Sequence, residues 1–422
     1  MKRVAVIGSQ RTPFVKSFGA YNSITTKDLL VASLDKLVAK FNLDGKLMDD
    51  VIGGAVIKST RDFNLVREAV LSTKLDPNSP GLDMQRACGT SLEAVITLAN
   101  KIKLGQADVG IACGVDSNSA SPLEVSKPLR SIFLKLQMAK STLERVKLFT
   151  QMRPKMFLPS IPTVNEPRTK KSMGEHTELM AKTWNVTRRE QDELSLKSQK
   201  SAEVALNDGF FKDLVFEYQG LNQDQFIRPD TTLDKMAKLK PAFDKENGTL
   251  TAANSTPLTD GSSAVLLCSE DYAKKHNLKI LAFIDDGQTS AVDFVHGAGL
   301  LMAPTKAVSS LIQRNKMRLQ DFQVYEIHEA FAAQVLSTLK AWNDPEYCKT
   351  ELGLEGILGE IDLDRLNTKG GSLALGHPFA ATGSRLVGST AKILSGKENS
   401  KALVTACTAG GMGVALIMSS PN

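Results

Sequence analysis

The chain has 422 residues, 42% hydrophobic and 23% charged, with a net charge of +6. That length calls for two or three core-forming units, and that composition describes a soluble globular protein, not a fibrous or disordered one. No apolar run reaches a membrane span, five scattered cysteines argue against a disulfide framework, and the lack of a Cys-x-x-Cys pair argues against zinc.

The N-terminal Lys2-Arg3-Val4-Ala5-Val6-Ile7-Gly8 predicts a buried strand ending in a glycine turn. It is too short for a secretory signal, and the C-terminal Ser419-Ser420-Pro421-Asn422 is no peroxisomal address, so a cytoplasmic location is expected. Next comes Gln85-Arg86-Ala87-Cys88-Gly89-Thr90-Ser91, directly before the apolar-periodic run Leu92 to Ile102. This predicts a helix with Cys88 at or near its N-terminus, where orphan N–H groups and the dipole favour thiolate. A Gly105-Gln106-Ala107 turn and a strand from Asp108 to Cys113 follow.

Residues 122–249 read as an inserted loop domain, with a helical pattern over Leu179 to Ala205. Within it, 127–171 holds 11 Lys/Arg and 2 Asp/Glu, a local balance of +9 that exceeds the whole net charge. The basicity is therefore local and does not describe a nucleic-acid-binding domain. Cations there interleave with Leu129, Ile132, Phe133, Leu136, Leu143, Val146, Phe149 and Met156. The pattern fits a helical lid whose apolar face packs on the body. It also fits a basic amphipathic element that docks on an anionic membrane or a partner subunit.

Leu250 to Leu267 returns to small and β-branched residues, a strand re-entering a first half made of 1–121 and 250–278. The second half, 279–422, begins with a strand at Ile280 to Asp285. A strand Gln323 to Ile327 feeds His328, which would open a helix from Glu329 to Lys340. Then come the loop Gly370-Gly371-Ser372-Leu373-Ala374-Leu375-Gly376-His377-Pro378, a helix Ala381 to Leu394, and a strand Ala402 to Ala406. Cys407 follows, ahead of Gly410-Gly411-Met412-Gly413. Cys88 to Cys113 spans 25 residues and His377 to Cys407 spans 30, both in the order turn, helix, turn, strand. A duplicated α/β half on a mixed sheet is expected.

A nucleophilic cysteine, a histidine constrained between Gly376 and Pro378, and a second cysteine beside a glycine run suggest acyl transfer through a thioester. Imidazole titrates near neutrality and can take a thiol proton. The bland alternatives are a buried hydrophobe for each cysteine and a cap or carbonyl partner for each histidine. Cys113, Cys268, Cys348, His276 and His296 take the bland reading, with Cys348 placed in a polar loop at 344–350. Neither GxGxxG nor GxxxxGK[ST] occurs in a proper context, so no nucleotide cradle is expected.

The chain resembles the thiolases, the acyl-CoA C-acetyltransferases, over nearly its whole length. The resemblance rests on Arg11-Thr12-Pro13-Phe14, the cysteine loop, Met236 to Phe243, Leu250 to Ser262, His328-Glu329-Ala330-Phe331 and the two C-terminal motifs, in that order. His-Glu-Ala-Phe, where many thiolases have Asn-Glu-Ala-Phe, is similar to the 3-ketoacyl-CoA thiolase subunits of fatty-acid oxidation complexes. The resemblance implies two similar halves in a five-layer α-β-α-β-α sandwich, and thiolytic cleavage of a 3-ketoacyl-CoA. It implies Cys88 as nucleophile, His377 as its base, Cys407 as second acid/base and His328 at an oxyanion hole. Backbone N–H groups of Cys88 and Ala409 would make a second hole. Arg228, Ser255, Thr256, Met173 and His176 would meet the CoA or acyl chain. It further implies coenzyme A as co-substrate with no resident cofactor, a homodimer or tetramer, and a hydratase–dehydrogenase partner. A ketoacyl synthase, a biosynthetic acetoacetyl-CoA thiolase and a non-catalytic subunit of a lipid-metabolism complex are the alternatives.

Overall fold

A computed structural model describes residues 1–159 and 165–421; residues 160–164 of the expected insertion and the terminal Asn422 lie outside it. Its strands are β1 (Val4–Arg11), β2 (Val15–Lys16), β3 (Asp50–Gly53), β4 (Gly81–Asp83), β5 (Val109–Asp116), β6 (Thr259–Ser269), β7 (Ala282–Ala291), β8 (Val324–Ile327), β9 (Lys401–Thr408) and β10 (Met412–Ser419). The sheet order is β4-β3-β5-β6-β1-β7-β10-β9-β8, with β2 beside β6. The pattern is a repeat. β3 and β5 pair parallel, as do β8 and β9; β6 runs antiparallel between β5 and β1, as β10 does between β9 and β7. The two halves meet at β1 and β7, through Val4–Ile284, Ala5–Phe283 and Val6–Ala282.

The layers follow from which faces are apolar. Strands β1, β5, β6, β9 and β10 are buried along most of their length, which requires cover on both faces. The helices Thr90–Lys103 and Thr382–Leu394 fill the centre, packing against both half-sheets in one cluster that runs from Val4 to Met418. Thr26–Lys40 and Leu65–Leu71 cover the outer face of the first half. Ala303–Arg314 and Ala332–Trp342 cover that of the second. This is the five-layer arrangement expected of the fold.

Several boundaries differ from expectation, each for a local reason. The helix after His328 begins at Ala332, not Glu329. Ala330 bends and Phe331 is extended, because Thr256 N–H donates to Ala330 O at 3.1 Å and Ser255 bridges to Phe331. Leu250 to Leu258 is irregular, turned by Thr251 N–H on Asn254 Oδ1 at 2.7 Å, and the strand starts at Thr259. The 179–205 pattern is two helices, Met173–Thr183 and Arg188–Asn207. They break at Asn185, whose φ is +49°, and the second is restarted by a Thr187–Glu190 capping box. Cys348 is buried within a helix, Pro345–Leu352, and not in a loop.

The basic segment forms two helices, Lys127–Met138 and Thr142–Phe149. Among the described residues of these two helices the lid packing is slight: only Leu129 and Ile132 are buried, while Met138 is 79%, Leu143 66% and Phe149 58% exposed.

Candidate active site

The cysteine turn is tight. Ala87 has a φ of +44°, left-handed backbone that a β-carbon disfavours. Thr90 holds it: its hydroxyl donates to Ala87 O at 2.7 Å and accepts from Arg86 N–H at 2.9 Å. Cys88 therefore sits one residue before Gly89, the N-cap of the central helix. N–H groups of Ala409 and of Cys88 itself point at the sulfur. Burial nevertheless dominates and pushes the thiol up to about 12. Desolvation thus outweighs the helix end, whose N–H groups pull in the opposite direction.

The turn presses on the β9–β10 hairpin. A β-carbon on Gly89 would come within 2.8 Å of the Thr408 methyl group. That contact brings Cys407, next to Thr408, beside Cys88. Cys407 is buried, and burial first, then its neighbour Cys88, raise its thiol well above the usual range. Gly410 and Gly411 close the hairpin with φ of +77° and +70°. Glu166, from the insertion, accepts the Gly410 N–H at 2.7 Å.

The histidine loop arrives at the same end of the central helices, because Ser384 N–H donates to Ser91 Oγ at 2.8 Å. Gly376 turns it, with φ of +96° and no room for a β-carbon, which would lie 2.8 Å from the Phe226 ring. His377 N–H donates to Thr259 Oγ1 at 3.1 Å, and its Nδ1 meets Thr382 Oγ1 at 2.6 Å. His328 ends β8, anchored by its N–H on Thr405 O at 2.8 Å. Its Nδ1 meets Ser372 Oγ at 2.8 Å. The two imidazole centroids are 4.1 Å apart. Burial lowers His377 to about 3, and burial followed by the neighbouring His377 takes His328 well below the usual range. Both rings are neutral near pH 7, with hydroxyls on Nδ1.

The other predicted contacts are spread around this centre. Ser255 Oγ is buried with no hydrogen-bond partner among the described residues, whereas Thr256 Oγ1 donates to Ala330 O at 3.0 Å. Asn254, which precedes them in the chain, turns inward and donates to Asp192 at 3.0 Å. Met173 packs on the cluster that contains Cys407 and Phe331. His176 is buried, its Nε2 on Thr169 Oγ1 at 2.7 Å and its ring edge-on to Phe294. Arg228 is exposed and tied by its backbone N–H to Gln199.

Sequence reasoning assigned no role to Ser372, Thr382, Arg385, Glu329 or Glu166. Arg385 donates to Ser372 Oγ at 2.7 Å. Glu329 accepts from Asn367 at 2.6 Å, Ser198 at 2.8 Å and Leu373 N–H at 3.2 Å. Ser372 and Glu329 lay inside motifs already singled out, and Thr382 and Arg385 lie just past His377 in the chain. Glu166 carried no signal.

Models of the thiolase N-terminal and C-terminal domains match residues 4–271 and 278–420. The chain is 39% identical over 423 aligned residues to a 3-ketoacyl-CoA thiolase of Photobacterium profundum, covering 99% of this chain and 97% of that one. Among solved structures it is similar to the Bacillus anthracis acetyl-CoA acetyltransferase, with a TM-score of 0.82, 29% identity and coverage of 99% and 98%. It is also similar to human mitochondrial 3-ketoacyl-CoA thiolase in complex with CoA, with a TM-score of 0.81, 27% identity and coverage of 100% and 98%. Two matched domain models, full-length identity to a thiolase and the shared architecture place this chain in the thiolase family of acyltransferases.

Proposed function

We propose that the protein cleaves 3-ketoacyl-CoA by CoA-dependent thiolysis, in fatty-acid β-oxidation. The observation that carries this reading is the meeting of Cys88, Cys407, His377 and His328 at one end of the paired central helices. His377 takes the Cys88 proton, and the thiolate attacks the 3-keto carbon. Its carbonyl oxygen is met by the N–H groups of Cys88 and Ala409, which already converge on the sulfur. The Cα–Cβ bond breaks, leaving an acyl group on Cys88 and an acetyl-CoA enolate. His377 and His328, the latter directly or through a bound water, stabilise the enolate oxygen. Cys407 protonates the enolate carbon, then deprotonates incoming CoA, whose thiolate attacks the acyl-enzyme and releases the shortened acyl-CoA, while His377 returns its proton to Cys88.

Burial holds Cys88 as a thiol, so forming the nucleophile needs a base beside it, the role given to His377. Ser255, Thr256, Met173 and His176 line the pantetheine and acyl path, and exposed Arg228 holds the nucleotide phosphates. The protein works as a cytoplasmic homodimer, in company with a hydratase–dehydrogenase partner. The test is mass spectrometry of the protein given 3-ketoacyl-CoA without CoA. An acyl adduct on Cys88 that is discharged by CoA supports thiolysis. Turnover of malonyl-ACP instead, or no adduct, refutes it.

The basic helices extend the reading. Their exposed Met138, Leu143, Val146 and Phe149 alternate with exposed Lys135, Lys140, Arg145 and Lys147. That combination suits the surface of an anionic bilayer, where apolar side chains insert and cations meet headgroups.

A further inference from the structure

Three polar side chains form a chain with a direction, running from Arg385 through Ser372 to His328. Arg385 is buried, 2% exposed, and its guanidinium donates to Ser372 Oγ at 2.7 Å. Ser372 is fully buried and meets His328 Nδ1 at 2.8 Å. Those are the two partners of the Ser372 hydroxyl among the described residues. An arginine donates only, so Ser372 must accept from it. If His328 Nδ1 also donated, Ser372 would accept twice and its own proton would be buried without an acceptor, the costly outcome for a polar group. One arrangement gives the Ser372 hydroxyl both a donor and an acceptor: Arg385 donates to Ser372, and Ser372 donates to Nδ1. The imidazole proton then sits on Nε2.

The far side of the ring agrees. His328 Nε2 is buried and has no hydrogen-bond partner among the described residues, and its ring lies against that of His377. A donor with its bond unmade, placed beside the histidine of the reacting centre, is what an oxyanion site requires. Arg385 acts a second time through its charge, which opposes a second proton on His328.

We propose that Ser372, oriented by Arg385, holds His328 as the neutral Nε2–H tautomer, a preset donor to the developing enolate oxygen and not a base. This rests on the reading above that His328 lines the enolate site. Ser372 and Arg385 are positioning residues: neither touches substrate.

The test is imidazole ¹⁵N NMR on the full-length protein. The chain has five histidines, so the His328 signals are assigned by their loss in His328→Gln. Wild-type His328 should report protonated Nε2 and bare Nδ1 throughout the neutral range. In Ser372→Ala both tautomers should appear, and kcat should fall about 10-fold with KM little changed, less than the ~10²–10³-fold typical of deleting an oxyanion donor outright. Ser372→Thr, which keeps the hydroxyl, should restore the tautomer and most of kcat. The inference is overturned if wild-type His328 is charged or carries its proton on Nδ1, or if Ser372→Ala leaves the tautomer unchanged. Undiminished kcat in His328→Ala would instead refute the enolate-site reading while leaving the tautomer assignment intact.

Discussion

Gly371 lies with its α-carbon against the Glu329 carboxylate, and Gly371→Ala should be among the most damaging single-methyl changes in the protein. The added carbon would sit 2.2 Å from Glu329 Cδ and Oε2 and 2.4 Å from Oε1, where ordinary contact begins at 3.4 Å. Backbone conformation is not the obstacle, since φ is −104°. Something must therefore move by about 1 Å. Glu329 cannot swing away freely, because Ser198, Asn367 and Leu373 N–H all donate to it, and Ser198 also accepts the Gly371 N–H at 2.9 Å. Overpacking costs ~1–3 kcal/mol, and one lost hydrogen bond to a buried charged group ~1.5–3 kcal/mol. The expected loss is about 3–5 kcal/mol of unfolding free energy. A fall in kcat should accompany it, since Glu329 follows His328 and Gly371 precedes Ser372. Urea unfolding by linear extrapolation reads the first quantity. Gly356→Ala is the control: a β-carbon there meets nothing within 4 Å, and stability should stay within about 0.5 kcal/mol. If Gly371→Ala unfolds within about 1 kcal/mol of wild type, the packing argument is wrong.

Cys88 should be alkylated by iodoacetamide faster as pH rises across the neutral and mildly alkaline range, because its raised pKa leaves thiolate scarce until the solution approaches about 12; a rate flat above pH 7 would reveal a resting cysteine–histidine ion pair. Cys407→Ala should still accept an acyl group on Cys88 yet turn over about 10²–10⁴-fold more slowly, and near wild-type turnover would remove Cys407 from the proton relay. Wild-type protein should bind anionic vesicles at low salt and lose them at high salt. Reversing Lys135, Lys140, Arg145 and Lys147 to Glu should abolish that binding without touching thiolysis of short substrates, while indifference of wild type to anionic vesicles rejects membrane docking. Light scattering at micromolar concentration should report a dimer, and a monomer would reject that assembly.

The sequence carried most of the architecture because its strongest signals are local. Continuous apolar runs at β1, β5 and β9 announce strands buried on both faces, and the Gly-bounded turns at Cys88 and His377 announce what the helices carry. What it did not carry depends on partners distant in the chain. Burial raises the Cys88 thiol against the lowering pull of the Ala409 N–H, which comes from more than 300 residues away, and a helix-end argument contains neither effect. Phe331 is extended rather than helical because of Ser255, and no propensity at 329–331 could say so. Glu166 reaches the Gly410 turn from inside the insertion, a contact with no periodic or motif signature. The exposed apolar face of Lys127–Met138 was legible as amphipathic, but whether the body covers it is a tertiary question.

The position of β6 constrains how the chain can be made. β1 and β5 do not pair with each other; β6 lies between them and pairs with both. During synthesis the first half-sheet is therefore incomplete until Ser269 has emerged, although β5 ends at Asp116. Through that interval the inner edges of β1 and β5 stand open, which is the condition under which strand edges find wrong partners. The insertion is thus a delay as well as a wall of the site. A chain arrested within 117–258 therefore carries β1 and β5 without the strand that joins them.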